Sequence, residues 1–123
     1  MTSILQTNFE TKNINDLQYA LISLEGQIDE DNLREFDEFV DPITKSNHNY
    51  LVFSLENLEF INSKVIGYLA AMHIRLTENK KQMIFMKTNP EIFDILELVG
   101  LTQIIPVFDT ETKMVEAIKN EEI

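Results

Sequence analysis

Few side chains in this sequence can do covalent or metal chemistry. Cysteine is absent, which excludes disulfides, thiolate metal sites and a thiol nucleophile together. Of the two histidines, His48 lies in the polar loop Ser46 to Asn49 and His73 lies on the apolar stripe of a helical segment. They do not form a metal-ligand spacing, and neither pairs by spacing with a serine and a carboxylate, so no nucleophile, base and orienting group can be assembled. His73 reads as a hydrogen-bonded histidine at the edge of the core. The acidic strings Asp29-Glu30-Asp31, Glu35 to Glu38 and Glu121-Glu122 lack the ligand alternation and glycine of a calcium loop and read as solvated faces. Gly26, Gly67 and Gly100 stand too far apart to cradle a phosphate. One arrangement remains, Leu58-Glu59-Phe60-Ile61-Asn62-Ser63-Lys64-Val65-Ile66-Gly67, where a buried strand turns into a helix. Either Asn62 or Ser63 can cap that helix, a contribution of about 1 kcal/mol. A phosphate on Ser63 would add roughly -1.5 to -2 charges at the positive end of the helix dipole, which tolerates it, while repelling an acidic or apolar partner. Ser63 is therefore a candidate binding switch.

The elements that must position this turn follow from periodicity and punctuation. Ile4 to Glu10 and Tyr19 to Leu24 read as two strands of an antiparallel hairpin joined by the polar turn Lys12 to Asp16. After Gly26, the segment Asp29 to Val40 places Leu33, Phe36 and Val40 at helical spacing, with Asp29 to Asp31 at the positive end of the dipole and Pro42 as the stop. Tyr50 to Leu55 is a short apolar run of the kind buried on both faces of a sheet. From Asn62 the period turns helical, with Val65, Leu69, Met72 and Leu76 along one stripe to about Glu78. Met83 to Met86 is a third buried strand, Pro90 opens a third helix, and Gly100 stops it just past Leu98. Ile104 to Phe108 and Thr110 to Lys119 repeat the unit. This order predicts an α/β fold with a mixed, mostly parallel sheet, an N-terminal antiparallel hairpin and about four helices.

Composition sets the class of partner. At 123 residues the chain fits one domain, residues 1–123, and 44% hydrophobic with 25% charged residues is ordinary folded usage. A formal net charge of -11 opposes binding to nucleic acid or to an anionic membrane surface and favours a basic protein partner. The N-terminus carries no secretory pattern, and the longest nearly apolar run, Val65 to Met72, is far short of a membrane span, so a cytoplasmic location without membrane insertion is expected.

In order and content the chain resembles the STAS domain of anti-sigma factor antagonists. The likeness runs through Gly26-Gln27-Ile28-Asp29, then Tyr50 to Ile61, then Ile66-Gly67-Tyr68-Leu69. It continues in Asn89-Pro90-Glu91-Ile92-Phe93, Leu96 to Leu101, and Ile104-Ile105-Pro106-Val107-Phe108. The resemblance implies a bacterial protein of transcription regulation that is not an enzyme and needs no cofactor. Such a protein binds an anti-sigma factor with serine kinase activity, is released when that kinase phosphorylates it, and is a monomer or weak homodimer. The family's switch, Asp-Ser-Ser/Thr-Gly, falls on Asn62-Ser63-Lys64-Val65, which makes Ser63 the implied phosphoacceptor. Asn62, Lys64 and Val65 depart from it: an amide replaces the acid, a lysine replaces a small hydroxyl residue, and a valine replaces a glycine that lets a partner backbone approach.

Opposite the apolar stripe of the second helix lie Lys64, Gly67, Ala71, Ile74 and Glu78, two small residues beside an isoleucine. Together with the motif this gives a partner-binding set of Asn62, Ser63, Lys64, Val65, Gly67, Ala71 and Ile74. Two roles stay open: a partner-switching protein, or a non-switching STAS subunit that scaffolds a regulatory or transport complex.

Overall fold

The computed structural model describes residues 4–123. Strands β1 (Leu5–Ile14) and β2 (Leu17–Ile28) form the expected hairpin, but β1 continues past Glu10 to Ile14 and β2 extends beyond the run Tyr19 to Leu24 at both ends. The turn is only Asn15-Asp16, both at positive φ, the two-residue geometry that Asn and Asp tolerate best. β3 (Tyr50–Ile61), β4 (Gln82–Met86) and β5 (Val107–Phe108) follow in parallel, giving one five-stranded sheet in the order β1-β2-β3-β4-β5. The four helices are α1 (Leu33–Thr44), α2 (Ser63–Glu78), α3 (Pro90–Leu98) and α4 (Glu111–Lys119). The α/β architecture read from the sequence is thus the one observed.

Three boundaries differ for identifiable reasons. α1 starts at Leu33 rather than Asp29, because Asn32 is buried and uses its side chain to tie the preceding turn instead of leading a helix: Nδ2 donates to the Gln27 carbonyl at 2.8 Å and Oδ1 accepts from the Asp29 N–H at 3.0 Å. Pro42 does not stop α1 but lies inside it. Near a helix end proline removes one hydrogen bond of a ladder about to finish anyway, while buried Ile43 anchors the last turn. Lys81 Nζ then donates to the orphan carbonyl of Thr44, the last residue of α1, and to the carbonyl of Ser46 in the loop that follows. The last strand shrinks from Ile104–Phe108 to two residues because the Ile104 and Ile105 N–H groups turn back to the Leu101 carbonyl at 3.2 and 2.9 Å and Pro106 has no N–H to give a ladder, after a 3₁₀ turn at Leu101–Gln103 that follows Gly100 in its left-handed stop at φ 83°.

The core lies on both faces of the sheet. On one face Phe36, Val40, Val65, Leu69, Met72, Ile92 and Leu96 from α1, α2 and α3 pack on Ile22, Leu51, Phe53 and Phe85. On the other, Met114, Val115 and Ile118 of α4 pack on Tyr19, Val52, Ile84 and Met86. Gly26 sits where β2 shifts register against β3, at φ 103°; a Cβ there would come 2.3 Å from the Ile4 carbonyl oxygen, so only glycine fits.

α4 is fastened to the hairpin by a polar cluster. The buried Tyr19 hydroxyl donates to the Glu111 carboxylate, and Lys12 Nζ lies 3.0 Å from it. Burial alone would push the Glu111 carboxyl up, but Tyr19, Lys12 and the charge of Lys87 outweigh it and hold it below its ordinary value of 4.5. A carboxyl with a lower pKa folded than unfolded gives its full stabilisation above the unfolded value and loses it as pH falls through the folded one. The stability difference between the native chain and Glu111→Gln is therefore expected to be largest near neutrality and to disappear in acid below 4.5, as urea denaturation at a series of pH values will read.

Candidate functional site

The carboxyl ends of the parallel strands and the amino ends of the helices meet along one edge, where loops can present side chains on a rigid frame. β3 delivers Asn62 to the start of α2, and its Oδ1 accepts from the Val65 N–H at 3.0 Å. Of the two residues able to cap α2, Asn62 is the one that does, and Ser63, the first helical residue, is exposed. The remaining amide hydrogens of Asn62 have a use that sequence spacing could not show: Nδ2 donates to the Glu30 carboxylate across the gap between the β2–α1 turn and α2. A second cap braces the edge, Asn89 accepting from the Ile92 N–H at 2.9 Å while its Nδ2 donates to the Leu58 carbonyl. An asparagine directly before a proline at the first helical position is the local signal for it.

α2 is a 16-residue helix with no acidic side chain in its first turn, and the lysine there opposes the positive end of the dipole. Its outer face carries Lys64, Gly67, Ala71, Ile74 and Glu78, all exposed, with Ile74 at 57%. A Cβ built on Gly67 would meet nothing within 4 Å. Phe60, two residues before the cap and absent from the sequence-derived set, adds an apolar side chain that is 45% exposed. Val65 leaves the set: it is fully buried and begins the core stripe of α2, so its side chain has no surface to offer a partner. On the α1 side, the Tyr68 hydroxyl donates to Asp37 Oδ1 at 2.5 Å, and burial first, then Asp37, raises its pKa well above the ordinary tyrosine value.

The two histidines lie elsewhere. His48 bridges Thr11 Oγ1 at 2.8 Å and Ser46 Oγ at 2.7 Å and meets Phe9 edge-on, so it binds the hairpin to the α1–β3 loop. The hydrogen bond expected of His73 is not made by its Nδ1, which is buried without a partner. Among the described residues no group of three or more potential ligands could hold a metal ion, and no helix is long and apolar enough to cross a membrane.

This geometry sits in a chain whose residues 8–114 match the STAS domain family model. The chain belongs to that family. A curated relative, the anti-sigma F factor antagonist of Paenibacillus polymyxa, is 27% identical over 95 residues, covering 74% of this chain and 79% of the relative. Among solved structures, an anti-sigma factor antagonist from Mycobacterium paratuberculosis superposes with a TM-score of 0.75 at 18% identity, over 93% of this chain and 95% of that one. The anti-sigma factor antagonist SpoIIAA superposes in its unphosphorylated form with a TM-score of 0.70 at 15% identity, over 92% and 97% of the two chains. In its phosphorylated form this Bacillus cell-fate determinant gives 0.63 at 15% identity, over 90% and 99%. At these identities the structural likenesses establish the fold, and the STAS domain described here presents its α2 N-terminus on that fold.

Proposed function

We propose that this STAS domain is an anti-sigma factor antagonist of the partner-switching kind, a single-domain cytoplasmic protein whose work is binding rather than catalysis. It docks on an anti-sigma factor that is also a serine kinase, through Asn62, Ser63, Lys64, Gly67, Ala71 and Ile74, and leaves when Ser63 is phosphorylated. The observation that carries this reading is the division of labour at the start of α2: Asn62 supplies the cap, which leaves the exposed Ser63 hydroxyl without a structural duty. In the transfer, Ser63 Oγ bonds to the γ-phosphorus of ATP, the bond from that phosphorus to the leaving ADP oxygen breaks, and the hydroxyl proton passes to a base on the kinase. The phosphate then lies at the positive end of a long helix beside Lys64, whose charge is otherwise misplaced there. The free protein tolerates the modification, and the partner meets a new dianion on its docking face.

Ser63→Ala is expected to change stability by less than about 0.5 kcal/mol, since an exposed residue that does not cap contributes little, and to keep partner affinity. Ser63→Asp should fold equally well and bind the anti-sigma factor at least about tenfold more weakly, roughly 1.4 kcal/mol. Mass spectrometry after incubation with that partner and ATP should find one phosphoryl group on the native chain and none on Ser63→Ala. Intact binding with no modification of the native chain would favour the non-switching subunit.

A further inference from the structure

The turn between β2 and α1 meets the start of α2 through the hydrogen bond from the Asn62 amide to the Glu30 carboxylate. Both partners are held from behind. Asn62 is fixed by its cap bond to the Val65 N–H. The turn that carries Glu30 rests on Asn32, 3% exposed, bonded to the Gln27 carbonyl and the Asp29 N–H. Asp29 Oδ1 accepts from the Asp31 N–H at 2.9 Å, which closes the turn on itself. The contact requires an amide at position 62, because an aspartate could still cap α2 but would have no hydrogen to donate and would set a second carboxylate against Glu30.

We propose that Glu30 is a positioning residue that reads the state of Ser63, an inference that rests on Ser63 being the phosphoacceptor. With Ser63 unmodified, the Asn62 amide joins the α2 cap to Glu30, and the β2–α1 turn and the helix start form one continuous surface. A phosphate on Ser63 stands one residue from Asn62. It brings roughly -1.5 to -2 charges within the screening distance of the Glu30 carboxylate, and its oxygens compete for the Asn62 amide hydrogens. Repulsion and competition act in the same direction: the bridge opens and the turn over residues 29–32 is released. The modification thereby changes a surface built from two elements and not only the residue that carries it. The neutral asparagine that replaces the family's acid is what makes this coupling available.

Phosphoserine installed at position 63 during synthesis tests the inference without any kinase. Hydrogen exchange of the amides of residues 29–32 is expected to quicken about fivefold relative to the unmodified chain, the effect of losing one net hydrogen bond. In Glu30→Gln, where the side chain still accepts from Asn62 but carries no charge, that acceleration should fall by at least about half. Unmodified Asn62→Asp should quicken the same amides, with the β4 amides of Met83–Met86 unchanged as the control for global unfolding. Exchange indifferent to phosphoserine, or quickened equally in Glu30→Gln, overturns the proposal. Whether a kinase modifies Ser63 is read separately by the mass-spectrometric experiment, so a failure there leaves this measurement meaningful.

Discussion

Val65→Gly, which restores the glycine of the family's switch motif, should lower the unfolding free energy by about 3–4 kcal/mol. Val65 is fully buried in the cluster that also contains Leu69, Met72 and Leu76, so truncation removes apolar contacts and leaves a cavity at the point where α2 settles on the sheet. A glycine in the first turns of a helix adds up to about 1 kcal/mol of lost propensity. Val65→Ala, which keeps the helix preference, should recover the second part and about 1 kcal/mol of the first. Urea denaturation with an unchanged slope is the measurement; a loss under about 1 kcal/mol would mean that the site collapses around the gap and that Val65 is not a true core position. The consequence for function is direct. In this chain that position is spent on the core, so the docking proposed for α2 rests on its exposed residues and not on position 65.

How much of this was legible in the sequence depends on whether the determining contact is local. The stripe Val65, Leu69, Met72, Leu76 follows the helical period, and α2 runs over Ser63–Glu78, within a residue of the reading from periodicity. Ser63 could be put at the helix start for the same reason. β3 reads as ending at Leu55 because the polar residues Glu56, Asn57 and Glu59 break the apolar run, yet its backbone continues to Ile61, paired with β2 through two register shifts. Pro42 misleads in the same way, since what keeps α1 going is buried Ile43 and Lys81, 37 residues away from Thr44, which takes up that residue's terminal carbonyl. The Asn62–Glu30 hydrogen bond spans 32 residues, and no local pattern signals it. Periodicity thus located the candidate site, while the contacts that tie it to neighbouring elements depend on the tertiary fold.

Gly67→Arg is expected to separate stability from binding by moving them in opposite directions. Gly67 is exposed in the second turn of α2, and a Cβ there meets nothing within 4 Å, so a side chain fits without strain and arginine's better helix propensity should raise stability by about 0.5–1 kcal/mol. If the partner's surface lies against Gly67 and Ala71, the same side chain blocks it, and affinity for the anti-sigma factor should fall about a hundredfold or more, roughly 2.7 kcal/mol. Gly67→Ala adds only a methyl group and should give most of the stabilisation with a much smaller loss of affinity. Glu116→Arg, exposed on α4 across the sheet, carries a larger change of charge and should leave affinity within about threefold, which separates blocking of one face from a general change in electrostatic attraction. Calorimetric titration and thermal unfolding on the same four proteins make the comparison. A Gly67→Arg variant that is more stable and binds as tightly as the native chain would remove α2's outer face from the interface. A variant that is more stable and fails to bind would fix Gly67 as the point of close approach, on the one helix whose first turn also presents Ser63.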